Sequence, residues 1–346
     1  MPVANRDHPR DETLGSETLA MTPPAILRRL IPDPFILALM FTLLLATILP
    51  ARGQAAVMVG WLSTAAVVLL FFFHGAKLAR ETVFAALLHW RLHAVIVGST
   101  FVMFPLMALA LSRALPGVMP QPLWIGILFL AALPSTVQSS IAFVSMARGN
   151  VPAAIASASA SQMLGVLLTP PLISLMAGAH GAQVSFGQIG SVMMLILAPF
   201  VAGHLLRPWI GGWVQRCKST IAITDRATIL IAVYSAFSAA VIEGVWSRVP
   251  PATIGILVGV CAVMLAIALV FTFFAGRLLG FNREDEITIL FCGTKKSLVQ
   301  GVPMARVLFA GPDLGLILLP VMVFHQMQLM VCAWIARRYA ERKDDV

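Results

Sequence analysis

Ten stretches of about twenty residues, nearly free of charge, run through this chain, separated by short polar segments. A helix of that length crosses the ~30 Å of hydrocarbon in a bilayer. A large soluble core shows shorter apolar runs, broken by charged faces. The chain is 59% hydrophobic and 11% charged, against roughly 25% charged residues in soluble domains. It therefore reads as an all-α integral membrane protein of ten transmembrane helices. The spans are Ile31–Pro50, Ala55–Phe73, His93–Leu111, Pro122–Met146, Val151–Ala177, Gln188–Leu206, Thr228–Trp246, Thr253–Ala275, Glu286–Phe309 and Leu314–Trp334. Between them, Val83–Leu92 and Trp209–Ile223 read as interfacial stretches.

The formal net charge is +9. In a soluble protein this would suggest nucleic acid. Here most Lys and Arg lie between spans, where they set orientation, so nucleic acid is not an expected partner and membrane lipid is. The N-terminal tail, the even-numbered loops and the C-terminus carry 18 basic residues, and the opposite loops carry 4. That bias puts both termini in the cytoplasm, with the chain in a plasma or bacterial inner membrane. Residues 1–25 are polar and mixed in charge, which predicts a disordered cytoplasmic tail rather than a signal peptide. The four cysteines form no CxxC pair and suggest neither a zinc site nor a disulfide framework.

An internal repeat organises the spans. Ser135–Arg148 aligns with Gly293–Arg306 at an offset of 158, with six of fourteen positions identical. Both segments fall in the fourth span of a five-span half. The halves cover residues 26–178 and 187–340. An odd number of spans per half forces opposite orientations, the inverted-repeat pattern of secondary transporters. The matched segments are also poor helices. One holds Pro134, Ser135 and Thr136, then Gln138, Ser139 and Ser140; the other runs from Gly293 through Thr294, Lys295, Lys296 and Ser297 to Gln300, Gly301 and Pro303. Proline and glycine break helices. In lipid, broken backbone persists only beside protein or a cavity, where freed carbonyls and helix ends become ligands.

Lys295 and Lys296 are adjacent charges deep in a span. A lysine there costs ~2.5–3.5 kcal/mol on insertion scales and defaults to function, as an anion attractor, a replacement for a coupling cation or a proton carrier; one of the two snorkelling to the interface is the structural alternative. No carboxylate lies in the middle of a span, which counts against an all-carboxylate proton relay and a strong sodium site. Ser157, Ser159, Ser161 and Gln162 follow the first break, where packing and ligation fit equally. His325, Gln326 and Gln328 cluster on the tenth span. A lone histidine there serves structure or a proton role. Tyr234, Ser235 and Ser238 share one face of the seventh span, suited to a cavity wall or to a helix contact.

The stretches Phe73-His-Gly-Ala-Lys-Leu, Leu133-Pro-Ser-Thr-Val-Gln-Ser-Ser, Met146-Ala-Arg-Gly-Asn, Leu167-Leu-Thr-Pro, Cys292-Gly-Thr-Lys-Lys-Ser-Leu, Val302-Pro-Met and Phe324-His-Gln-Met-Gln are together fairly specific. With them, residues from about 25 to 340 resemble the bile-acid:sodium symporter superfamily, in its SBF-like branch. The resemblance implies two inverted five-helix repeats, a panel domain of helices 1, 2, 6 and 7, and a core of helices 3–5 and 8–10. It implies that broken helices 4 and 9 cross at mid-membrane and that core moves against panel. By motif position, Ser139 and Ser140 match a polar pair among the family's sodium ligands, and Lys295, Lys296 and Ser297 match a Gln-Asn-Ser run. The bile-acid members carry a glutamate shortly before that run; this chain reads Leu290-Phe-Cys-Gly there. A lysine ammonium thus stands where a cation would bind, which puts sodium in doubt and suggests proton-linked or uncoupled anion movement.

The expected function is a secondary active transporter of a small organic anion. Sodium is the doubtful coupling ion, with no other cofactor. Its candidate site comprises Thr136, Gln138, Ser139, Ser140, Ser157, Ser159, Ser161, Gln162, Thr294, Lys295, Lys296, Ser297, Gln300, His325 and Gln326. An enzyme is not expected, because no paired-carboxylate, HExxH or Ser/His constellation is evident. A non-transporting membrane regulator is the other class. Substrate and oligomeric state do not follow from the sequence.

Overall fold

The computed structural model describes residues 34–77, 89–178, 186–244, 249–309, 311 and 313–341. The predicted tail over residues 1–25 lies outside them, as does most of the interfacial stretch from Val83. The regular elements among the described residues are all helices, with no strand among them. In chain order the helices are α1 (Pro34–Ile48), α2 (Gln54–Lys77), α3 (Trp90–Gly98), α4 (Phe104–Ala114), α5 (Gln121–Ala132), α6 (Gln138–Met146), α7 (Val151–Gly178), α8 (Phe186–Arg216), α9 (Lys218–Ile242), α10 (Pro251–Leu278), α11 (Arg283–Gly293), α12 (Leu298–Leu308) and α13 (Leu314–Ala340). A π-helical turn, Ser99–Met103, joins α3 to α4 in one rod. Among the described residues, seven helical rods are long and apolar enough to cross a membrane.

Two of the predicted spans are broken. The chain leaves helix after Ala132 and resumes at Gln138; it leaves again after Gly293 and resumes at Leu298. The second break starts three residues later than the 158-residue offset would place it. Proline at 134 removes a donor and disfavours helix in the residue before it. At the second break the Ser297 hydroxyl accepts from the Gln300 amide and caps α12.

The predicted interfacial stretch Trp209–Ile223 is helical, formed by the end of α8 and the start of α9, with a single non-helical residue, Cys217, between them. Pro208 does not stop α8. These helices run beyond the apolar runs that predicted them, which carries Asp225 and Arg226 onto a helix.

Two sets of helices pack around different seams. α2 lies along α8, and α9 packs on α1 and α2. A methyl group on Gly75 would overlap the Phe200 carbonyl, and one on Gly203 would overlap the Phe72 carbonyl. Only glycine lets these backbones approach so closely. Elsewhere α5 packs on α13 and α7, and α10 on α11 and α13. Gly126 sits against the Ile317 carbonyl, and Gly165 against the Pro134 ring. The loop between α6 and α7 is pinned to α11. The Asn150 amide donates to Asp285 Oδ1 at 2.9 Å, Asn150 Oδ1 caps α7 at the Ala153 N–H, and the Asn150 backbone N–H donates to the Glu284 carbonyl.

Candidate functional site at the two helix breaks

The breaks meet. The Ser297 N–H donates to the Pro134 carbonyl at 2.9 Å, and the Ser135 hydroxyl donates to the Cys292 carbonyl at 2.7 Å. Each stretch thus supplies partners for backbone groups that the other has lost from its helix, as buried backbone requires. Around them the Ser99 hydroxyl donates to the Gly293 carbonyl, and the Ser135 N–H donates to Ser161 Oγ.

Beside the meeting point lies a cavity of about 560 Å³. Of the sequence-predicted residues, Thr136, Gln138, Ser139, Ser159, Gln162, Ser297, Gln300, His325 and Gln326 line it. The Thr136 and Ser139 hydroxyls pair with each other. Gln300 donates from Nε2 to the Gln162 carbonyl at 3.4 Å, while its buried Oε1 has no protein partner among the described residues. A buried amide oxygen aimed at no donor suits a ligand that brings one.

The other predicted residues stand behind that wall. Ser140 Oγ is buried, 3.3–3.4 Å from the Thr136 and Ser135 hydroxyls. Ser157 pairs with His93 Nδ1 at 2.7 Å, and Ser161 accepts from the Ser135 N–H. Thr294 turns back to the Leu290 carbonyl of its own helix. Lys295 and Lys296 are 0% and 1% exposed and do not line the cavity. Neither snorkels. Lys296 Nζ donates to the carbonyls of Thr100, Ala131 and Leu133 at 2.8, 2.7 and 2.8 Å, with the Phe104 ring 4.2 Å away. Lys295 Nζ is less well held, over the Phe143 ring at 4.2 Å and 3.5 Å from the Gln328 carbonyl. Gln328 clamps the second break: Oε1 accepts from the Lys296 N–H, and Nε2 donates to the Lys296 carbonyl, each at 2.8 Å. Nε2 also lies 2.9 Å from His325 Nδ1. Tyr234, left open between cavity wall and helix contact, donates to the Leu49 carbonyl.

The cavity lining also holds charges that sequence reasoning missed. Lys77 on α2 pairs with Asp225 Oδ2 on α9 at 2.7 Å, flanked by His74 and Arg226, and all four line the cavity. His74 Nδ1 donates to the Leu70 carbonyl. Asp225 Oδ1 is buried and has no protein partner among the described residues. The available signal was two opposite charges, each a few residues beyond the end of a span; reading Asp225 as loop hid it.

The family model for SBF-like CPA transporters matches residues 33–341. The chain belongs to that family. Uncharacterized protein PA2026 of Pseudomonas aeruginosa is 56% identical over 92% of this chain and 96% of its own. YfeH of Escherichia coli K12, provisionally named a symporter, is 50% identical over 91% of this chain and 95% of its own. Sodium/bile acid cotransporter 7 of Mus musculus is 30% identical over 77% of this chain and 79% of its own. This SBF-like chain is accordingly an integral membrane protein of a transporter family.

Proposed function

We propose that this protein is a secondary active transporter that moves a small organic anion by alternating access. The reading takes ten spans in two inverted five-span halves, with both termini cytoplasmic. α1, α2, α8 and α9 form a panel, and the remaining helices form a core. One observation carries it: the cavity is lined both by residues of α1, α2, α8 and α9 and by residues of the two helix breaks, α7 and α13. A site lined by two sets of helices changes its opening when one set slides on the other. The names of the mouse cotransporter and of YfeH agree with this reading.

An anion fits the lining. Lys77 and Arg226 supply positive charge to the lining, and Ser139, Ser159 and Gln300 supply hydrogen-bonding groups. Sodium remains the coupling ion that the bile-acid relatives suggest, with Ser139 and Ser140 as its carried-over ligands. Movement without sodium is the second reading, favoured by the two lysine side chains buried at the crossing.

Uptake of labelled small carboxylates into proteoliposomes, under a sodium gradient and a proton gradient applied separately, tests the proposal. Accumulation driven by either gradient, or saturable exchange without one, supports carriage. Uptake equal to that of empty liposomes across the whole panel of carboxylates contradicts it.

A further inference from the structure

The C-terminus of α5 ends in a row of carbonyls with no helical partner, as every helix end does. From Leu130 to Pro134, each nevertheless has an identified donor. The Leu130 carbonyl accepts from the Leu133 N–H, the Ala132 carbonyl from Thr169 Oγ1, and the Pro134 carbonyl from the Ser297 N–H. The remaining two, Ala131 and Leu133, point at one atom, Lys296 Nζ. The Thr100 carbonyl, from the π-helical turn, completes the set at 2.8 Å. Three donated hydrogen bonds are the full complement of an ammonium, and a neutral amine has only two N–H bonds. The distances are those of charge-assisted bonds. The negative end of the α5 dipole and the face of Phe104 add attraction for positive charge.

We infer that these three carbonyls and the Phe104 ring form a binding site for a monovalent cation of ammonium size, filled in this chain by the tethered ammonium of Lys296. The protein carries its own cation where the breaks meet. The charge holds α4, α5 and the second break together without drawing an ion from solution. Lys295, one residue away, has no such cage: a single carbonyl stands 3.5 Å from its Nζ. The inference concerns a binding site and stands whether or not the transport reading does.

The test is thermal unfolding of the purified full chain in detergent, at matched ionic strength, in choline, sodium, potassium, ammonium or methylammonium chloride. Choline is too large for the cage and serves as baseline. Lys296→Ala should melt several degrees lower than wild type in choline. It should regain most of that loss, saturably, in ammonium or methylammonium, while wild type gains nothing comparable. Lys296→Met leaves the carbonyls unpaired and fills the space, so it should be destabilised and not rescued. Lys295→Ala should show no cation preference. Lys296→Ala that folds only when extracted in ammonium or methylammonium also supports the site. An identical melting temperature for Lys296→Ala in choline and methylammonium, failure to fold in every cation, or equal rescue of Lys296→Met overturns it.

Discussion

The Ser297 N–H and the Pro134 carbonyl, 163 residues apart in sequence, lie 2.9 Å from each other, and through this bond the two helix breaks become one structure. Gln328 holds the same junction from α13, using its amide on both backbone groups of Lys296. Gln328→Leu removes both partners from buried groups. A buried group left unsatisfied costs about 1–3 kcal/mol, so we expect a clear fall in thermal stability and faster backbone hydrogen exchange across residues 294–297. Unchanged exchange there would show that the clamp is not what orders the break.

Asn150 ties the α6–α7 loop to α11. Asn150→Ala loses a helix cap worth ~1 kcal/mol and a bond to a carboxylate worth ~1.5–3 kcal/mol. Asn150→Asp keeps the cap but sets a second carboxylate against Asp285, so it should not recover the loss. Denaturation in detergent compares the three proteins. Asn150→Asp as stable as wild type would contradict the pairing.

The seam between α2 and α8 depends on two glycines facing carbonyls. Gly75→Ala and Gly203→Ala should each cost ~1–3 kcal/mol through overpacking. Gly259→Ala, on α10 with open space where the methyl would stand, should be neutral or gain up to ~1 kcal/mol from helix propensity. Thermal melts of the three variants separate close approach from a general intolerance of alanine.

Lys77 is 34% exposed in its pair with Asp225, but the carboxylate is only 14% exposed and its Oδ1 has no partner among the described residues. Lys77→Met leaves that charge unpaired and should lower the melting temperature, and adding Asp225→Asn should recover part of the loss. If the cavity takes an anion, the same variant should lose at least ~10-fold in uptake, the order of one charge-assisted contact. Normal uptake would remove Lys77 from the site.

The breaks were legible because Pro134 and Gly293 disfavour helix, although Gly301 and Pro303, expected to interrupt the second span as well, lie inside α12. The direction of the lysines was not. Hydropathy places Lys295 and Lys296 at a depth, but what receives each ammonium depends on the Thr100, Ala131 and Leu133 carbonyls, which a linear pattern does not bring together. Both therefore entered the candidate site beside Ser139 and Gln300, which line the cavity as the lysines do not. The wall of Lys77 and Asp225 escaped for a related reason. Span prediction stops where hydropathy falls, yet α9 begins at Lys218, well before its apolar run, because packing extends a helix past it.

The most direct test of alternating access needs no known substrate. Ser159→Cys and Gln326→Cys each place a thiol on the cavity wall. Cys261, Cys292 and Cys332 are buried, and Cys217, the partly exposed one, is changed to serine. A membrane-impermeant thiol reagent is then applied to right-side-out and to inverted vesicles. The account predicts that each introduced cysteine reacts from both faces, at different rates. Reaction from one face alone, under all conditions, would contradict it.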